Sequence, residues 1–303
     1  MDMPRFPDFR ELRLADRGPV SRFLWDLQPE TSELTFTNLF IWRASFGWQW
    51  SVRGEHLLLL AAKPGAEPFF LPPVGPAPRA GVCLELLSWL RRERSVADPR
   101  IERADPALAA EITYAAGLRA EPARDHFDYL YRTSDLIALK GSRYHAKRNH
   151  LQRFAQAAAA ARYALVDASN LRLCAEFQDR WCALRRCSED LNLLGEWEAV
   201  REALANFPAL GLKGGAFLIE GRVEAFALGE LLNRETVVVH IEKANPEIPG
   251  LYAAINQRYC REHWEGTGFV NREQDLGEPG LRKAKLSYHP ARLVEKYSLR
   301  LSE

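Results

Sequence analysis

Cysteine and methionine are sparse in this chain of 303 residues, at five and two. The cysteines, Cys83, Cys174, Cys182, Cys187 and Cys260, are odd in number and form no C-x-x-C pair. That spacing argues against a zinc site and against a disulfide framework. Cys174 and Cys182 are spaced as neighbours on one helix face, and buried free thiols in a reducing, cytoplasmic setting are expected. Long apolar runs are also lacking. The longest, at 57–62, falls far short of the ~18 residues of a membrane span. The opening MDMPRFPDFREL has no basic segment followed by an apolar one, so no secretory leader is expected. Excess charge is missing too: 41 Lys and Arg face 40 Asp and Glu, for a net +1. No global field draws the chain to DNA, so none is expected as a partner, and any basic site must be local. There is no G-x-S-x-G elbow, HExxH helix, P-loop or clean GxGxxG. Hydrolase, metalloprotease, kinase and Rossmann readings therefore have nothing to rest on.

What is present is a filled interior. Hydrophobic residues make up 47% of the chain, with eight Trp and fifteen Phe, enough for one large domain or two ordinary ones. Periodicity predicts a hairpin over 48–61, a short strand at 67–73, an amphipathic helix over 83–94 and a strand-rich segment over 127–139. A basic helix then runs from 140 to about 162, prolonged by the alanines at 155–161. The second half reads as two long helices and three antiparallel strands at 214–220, 223–232 and 236–242. A helix at 251–264, a strand ending at Val270, a last helix and a closing strand follow. The expected division is a first domain over 1–162, ending in the connecting basic helix, and a second over 163–303.

The stretch 269–297, FVNREQDLGEPGLRKAKLSYHPARLVEKY, organises the rest. Asn271, Arg272, Glu273 and Asp275 follow the apolar strand directly, where ligands bind in open α/β sheets. A Gly-Pro-Gly turn then starts a helix near Leu281, with Arg282, Lys283 and Lys285 in its first turns. Cations there oppose the helix dipole unless an anion is bound; the alternative is a wet basic face. Glu273 and Asp275 share one side of an extended segment and are candidate catalytic carboxylates, or they brace the loop against Arg272, Arg282 and Lys285. Tyr288 and His289 complete the candidate set, His289 also fitting a structural role at the helix exit.

Two further constellations join it. Residues 140–154, KGSRYHAKRNHLQRF, carry no acid, and Lys140, Arg143, Lys147 and His150 fall at helical spacing. With Tyr144, Arg148 and Asn149 beside them, this is a candidate phosphate-binding stripe, weighed against a connecting helix with a solvated face. At HIEKANPEIPG, Glu242 is a candidate general base and Asn245 a candidate substrate contact. Glu242 alternatively forms a salt bridge with Lys243 or Arg272.

Several of these runs resemble the phosphatidylglycerol lysyltransferase C-terminal domain family: NREQDLGEPGLRKAKLSYHP, FDYLYRTSDLIALKGSRYHAKRNHLQRF, HIEKANPEIPGLYAAINQ and, more weakly, LTFTNLFIWR. The matches keep their order and span nearly the whole chain. The family is similar to Fem-type transferases and to tandem acyl-N-acyltransferase (GNAT) folds. The resemblance implies an α/β (α+β) protein of tandem GNAT-like domains, with mixed, mostly antiparallel sheets covered by helices. It also implies aminoacyl transfer from aminoacyl-tRNA to an amine or hydroxyl acceptor, such as a lipid head group at a membrane surface, a peptide or a small molecule. No cofactor is expected. The competing readings are a CoA-dependent N-acyltransferase and a non-catalytic protein that binds an anionic ligand. CoA is disfavoured because the usual Gly-rich pyrophosphate loop is missing, and Pro246 and Pro249 remove two backbone donors where it should lie.

Overall fold

The computed structural model describes residues 3–113, 115, 117–185, 187 and 191–302. In chain order its strands are β1 (Arg10–Glu11), β2 (Trp48–Arg53), β3 (His56–Ala61), β4 (Phe69–Phe70), β5 (Arg100–Ala104), β6 (Leu118–Pro122), β7 (Asp128–Arg132), β8 (Arg162–Leu165), β9 (Lys213–Ile219), β10 (Arg222–Leu231), β11 (Thr236–Ala244), β12 (Phe269–Asn271), β13 (Arg292–Val294) and β14 (Tyr297–Leu301). Among the described residues they form two seven-stranded sheets, ordered β1-β2-β3-β4-β5-β14-β6 and β13-β7-β12-β11-β10-β9-β8. Most pairings are antiparallel; β4–β5 and β11–β12 are parallel. The protein is thus mixed α/β, with two mostly antiparallel sheets covered by helices. None of its described helices is long and apolar enough to cross a membrane.

The chain divides into two compact units. The first comprises the residues up to Asp128, Gln274–Gly277, and those from Val294 on. The second comprises Tyr129–Glu273 and Glu278–Leu293. The division expected after residue 162 therefore falls inside the second unit. Strand pairing explains this. β7 lies in the first half of the chain but pairs with β12, Val270 opposite Tyr131. The C-terminal β14 returns to the first sheet and lies between β5 and β6. Backbone donors and acceptors must be met, and these segments meet theirs across long stretches of sequence.

Each unit has its own core. In the first, the helix Ala80–Glu93 lays Val82, Cys83, Leu86 and Leu90 against Leu58, Leu60, Phe70 and Ile101. In the second, the helix Leu251–Trp264 packs Ala254, Ile255 and Tyr259 on Tyr129, Tyr131, Val237 and Val270. Each such large apolar side chain contributes roughly 1.5–3 kcal/mol relative to exposure.

Two local expectations change. The segment 127–139 is a strand only to Arg132; Thr133–Ala138 is a helix, with Asp135 in its first turn where an acid suits the dipole. The basic helix spans His145–Ala157 and stops inside the alanine run, because Arg162 already belongs to β8. Lys140 and Arg143 precede it: Leu139 and Gly141 both take left-handed backbone angles, so the predicted basic stripe is not one helical face.

The cysteine expectation also needs correction. Cys182 and Cys187 form a disulfide, their Cα atoms 5.2 Å apart. Cys187 stands two residues past the helix Leu171–Arg185, within bonding range of that helix's Cys182. Cys83, Cys174 and Cys260 are buried free thiols, each pushed up to about 12 chiefly by burial.

Candidate functional site

A bulge interrupts β11 at His240, which the pairing with β10 skips between Val239 and Ile241. His240 therefore reaches Glu230 on one face of the sheet, while Glu242 lies on the other, beside the core that holds Tyr131. β12 runs parallel to β11 and pairs Val238 with Asn271, so Arg272 and Glu273 emerge beside that pair. Two ionic contacts join the strands there. Arg272 Nη2 donates to Glu242 at 2.6 Å, and His240 Nδ1 donates to Glu273 at 2.9 Å.

Glu273 holds a left-handed backbone angle, φ +55°, which non-glycine residues seldom adopt. Its surroundings hold it there. Asn271 Oδ1 accepts its backbone N–H at 2.8 Å, and the Lys285 ammonium donates to the carbonyls of Arg272 and Glu273. Lys285 is itself buried, and Tyr131 donates its hydroxyl to the Lys285 carbonyl.

The His240 side chain is 1% exposed and lies between two carboxylates, its Nε2 3.1 Å from Glu230. Burial pushes the imidazole down, but its hydrogen bonds and charge contacts with Glu230 and Glu273 win and raise it to about 9. His240 is therefore an imidazolium at neutral pH and donates to both glutamates. Glu242 also accepts from Asn256 at 2.9 Å. Arg272 lies over the rings of Tyr288 and Tyr131, at 4.8 and 5.7 Å, and its Nη1 is buried without an acceptor among the described residues. Lys147 completes the cluster with its ammonium 3.7 Å from the Tyr288 ring centroid. Burial, and then the Arg272 charge, pull it down to about 8, partly opposed by Glu242.

The predicted residues thus fall into two groups on opposite faces of the sheet, Asn271 and Glu273 with His240, and Arg272, Glu242, Tyr288 and Lys147, with Lys285 bonding the backbone between them. The other predicted residues join neither. Asp275 belongs to the first unit, is fully buried, and is held by Arg124 at 3.3 Å and by the Gly277 N–H. From sequence, Arg272, Arg282 and Lys285 are the cations expected to brace it; Arg124 is not among them. Asn245 bonds Glu224, and Asn149 bonds His145. Arg148 donates to the carbonyls of Leu139 and Gly141, closing the end of the preceding helix. Arg143 pairs with Asp135 at 3.1 Å and lies over Tyr144, whose hydroxyl donates to the Tyr288 carbonyl. Lys140 is exposed. His289 contacts the Arg143 carbonyl through Nε2.

The last basic helix spans only Pro279–Leu286, so Lys283 and Lys285 lie in its final turn, where cations suit the dipole. Arg282 is half-buried and Lys283 exposed. The helix starts at Pro279, two residues before the expected Leu281, and its eight residues end at Leu286, which removes most of the tension seen from sequence.

His240, Glu230, Tyr131 and Asn256 escaped sequence reasoning. His240 carried no usable signal: it is the residue of β11 that the pairing with β10 skips, so a spacing of two from Glu242 does not put both on one face. Glu230 had none, because a bulge between Leu228 and Gly229 shifts the β10–β11 register next to it.

The first unit carries a second buried charge network. Lys296, with 0% side-chain exposure, bonds Asp128 at 2.6 Å and Glu33 at 2.7 Å. Ser32 donates to Asp128 through both its N–H and its hydroxyl. Arg103 Nε lies 3.1 Å from Glu33, an ionic contact without hydrogen-bond alignment. Burial, and then the Arg103 and Lys296 charges, push the nearby His126 down to about 4.

Comparison with known proteins places this geometry. A conserved protein of unknown function from Bacteroides thetaiotaomicron superposes with a TM-score of 0.90 at 32% identity, covering 99% of this chain and 100% of that one. The C-terminal domain of a putative lysylphosphatidylglycerol synthetase from Agrobacterium fabrum gives 0.66 at 14% identity, over 95% and 92%. A GNAT-family acetyltransferase from Colwellia psychrerythraea gives 0.51 at 8% identity, over 98% and 100%, a likeness of fold alone. An uncharacterised Mycoplasmoides gallisepticum protein is 22% identical over 213 residues, covering 67% of this chain and 68% of its own. Residues 26–300 match the family described as phosphatidylglycerol lysyltransferase, C-terminal. The chain belongs to the phosphatidylglycerol lysyltransferase C-terminal domain family, with a GNAT-like fold.

Proposed function

We propose that this chain is a transferase that moves an aminoacyl group from aminoacyl-tRNA to an amine or hydroxyl acceptor. Its family is that of lysyltransferases, and the fold is shared with acyltransferases. The observation that carries the reading is the strained, over-determined Glu273, held by Asn271, Lys285 and the buried His240 imidazolium. Backbone strain of this kind persists where the surroundings enforce it and concentrates at functional sites. In the proposed step the acceptor nitrogen or oxygen attacks the ester carbonyl and the bond to the ribose oxygen breaks. Glu273 takes the acceptor's proton and returns it to the leaving ribose oxygen. His240 is a positioning residue; Glu242, engaged with Arg272 and Asn256, positions the guanidinium.

An acyl-CoA donor is less well supported. Gly250, the N-cap of the helix Leu251–Trp264, has φ +79°, and a Cβ there would lie 1.9 Å from the His150 carbonyl oxygen. The backbone is therefore crowded where a pyrophosphate would approach.

The test uses bulk tRNA charged with labelled amino acids and a fractionated cell extract as the source of acceptor. The wild-type chain should transfer label into one fraction. Glu273→Gln should slow this by about 10²–10⁴-fold, the usual contribution of a general base. Equal rates for both proteins, or no transfer by either, would remove the reading.

A further inference from the structure

We infer that Lys147 and Arg272 form a receptor for a singly charged oxyanion, a phosphodiester or a carboxylate. The inference does not rest on the transfer chemistry, since a chain that moved no acyl group would still hold the anion.

The argument starts from charge. Lys147, Arg272 and Glu242 form a local group in which two cations share one carboxylate. Glu242 already serves Arg272 at 2.6 Å and Asn256 at 2.9 Å. Lys147 makes no ion pair among the described residues. Its ammonium rests on the face of Tyr288, and Arg272 lies over that same ring. An aromatic face offsets part of a cation's desolvation, but less than a carboxylate does. The depressed Lys147 titration has the same origin: burial and a like charge, with too little negative charge nearby. Arg272 Nη1, buried and without an acceptor, is a second donor in the same group whose demand is unmet.

Local structure leaves the anion a route in. Lys147 is only half-buried and stands in the first turn of the helix His145–Ala157. That turn carries no acidic side chain and no side-chain cap. Long helical side chains lean toward the helix N-terminus, so the ammonium and the positive end of the dipole favour the same ligand. Within this group of three the cations exceed Glu242 by one charge, which favours a monoanion. The other cations of the basic segment are committed elsewhere, Arg143 to Asp135 and Arg148 to two carbonyls.

The experiment measures reductive methylation of Lys147 in the intact chain by mass spectrometry, with exposed Lys140 as internal reference. Dimethyl phosphate and acetate, both monoanions at pH 7, are the probes, against chloride at equal ionic strength. One of them should protect Lys147 selectively, and the more protective of the two identifies the ligand class. Lys147→Met retains the apolar stem over Tyr288 and should weaken binding of the protective probe by about tenfold, the worth of one charge-assisted contact. Protection of Lys147 no greater than that of Lys140 by either probe, or undiminished binding by Lys147→Met, would overturn the inference.

Discussion

Two histidines in this chain, His126 half-buried and His240 with its side chain enclosed, titrate in opposite directions. His126, in the first unit, faces Arg103 and Lys296 and is pushed down to about 4. His240, in the second, lies between Glu230 and Glu273 and is raised to about 9. Burial lowers both. What separates them is the sign of the neighbouring charges: at His126 the cations add to desolvation, whereas at His240 the two carboxylates outweigh it. A second contrast lies in how the two units match their buried cations. In the first unit two cations, Lys296 and Arg103, meet two carboxylates, Asp128 and Glu33. In the second, Lys147 and Arg272 share Glu242. A charge-matched buried network is what structure alone requires, whereas an unmatched one has an open valence for a ligand.

The sharpest way to break the comparison is to remove the cation of the matched network. Lys296→Met leaves Asp128 and Glu33 buried without their ammonium and should cost about 3–5 kcal/mol of stability. Urea denaturation measures this directly. A loss below about 1 kcal/mol would mean that the first unit tolerates uncompensated charge, and the contrast would fail.

An intermediate effect concerns pH. His240 is raised in the folded state, so its contribution to stability is complete below its unfolded value of 6.5 and is lost as pH climbs through about 9. His126 is depressed, so the folded state resists its protonation and stability falls as pH drops from 6.5 toward about 4. The alkaline limb therefore belongs to the second unit and an acid component to the first. NMR titration of the two ring protons tests this. Glu230→Gln should lower the His240 midpoint by about one unit or more and leave His126 unmoved. A His240 midpoint near 6.5 in the unaltered chain would refute the imidazolium assignment.

The smallest expected effect sharpens the contrast from the other side. Lys147→Met removes a half-buried cation that has no carboxylate of its own beyond the one shared with Arg272, so stability should change by no more than about 0.5–1 kcal/mol, in either direction. A thermal melt at neutral pH would show it. A loss comparable to that of Lys296→Met would make Lys147 a structural cation.

Much of the second unit was legible in the sequence because its elements are stabilised locally. The three-strand meander β9–β10–β11 follows from alternation and tight turns, and the helix Leu251–Trp264 from its amphipathic period. The short apolar run before Asn271 ends where the polar loop begins, as read from sequence. The family resemblance rested on ordered motifs along nearly the whole chain, and so did the expectation of two mostly antiparallel sheets. The basic residues of 140–154 were less legible. Their spacing suggested one face, but left-handed Leu139 and Gly141 break the helix, and Asp135, Leu139 and Gly141 bind Arg143 and Arg148.

The amino-acid order alone determined which segments alternate, which are amphipathic and where charge lacks an acid within one turn, because these depend on neighbours a few residues apart. Tertiary structure decided the rest, since it depends on partners distant in sequence. It sent β7 to the second sheet and β14 back to the first. It put Glu230 against His240, and it left Lys147 with Arg272 and a single shared carboxylate. It also parted Glu273 from Asp275, two residues that an extended segment presents on one side. Left-handed backbone angles at Glu273 and Leu276 re-aim the loop, so Glu273 turns to His240 while Asp275 is buried with Arg124. Whether a carboxylate there serves a reaction or braces a loop is set by which cation the fold brings to it, and sequence spacing carries no record of that cation.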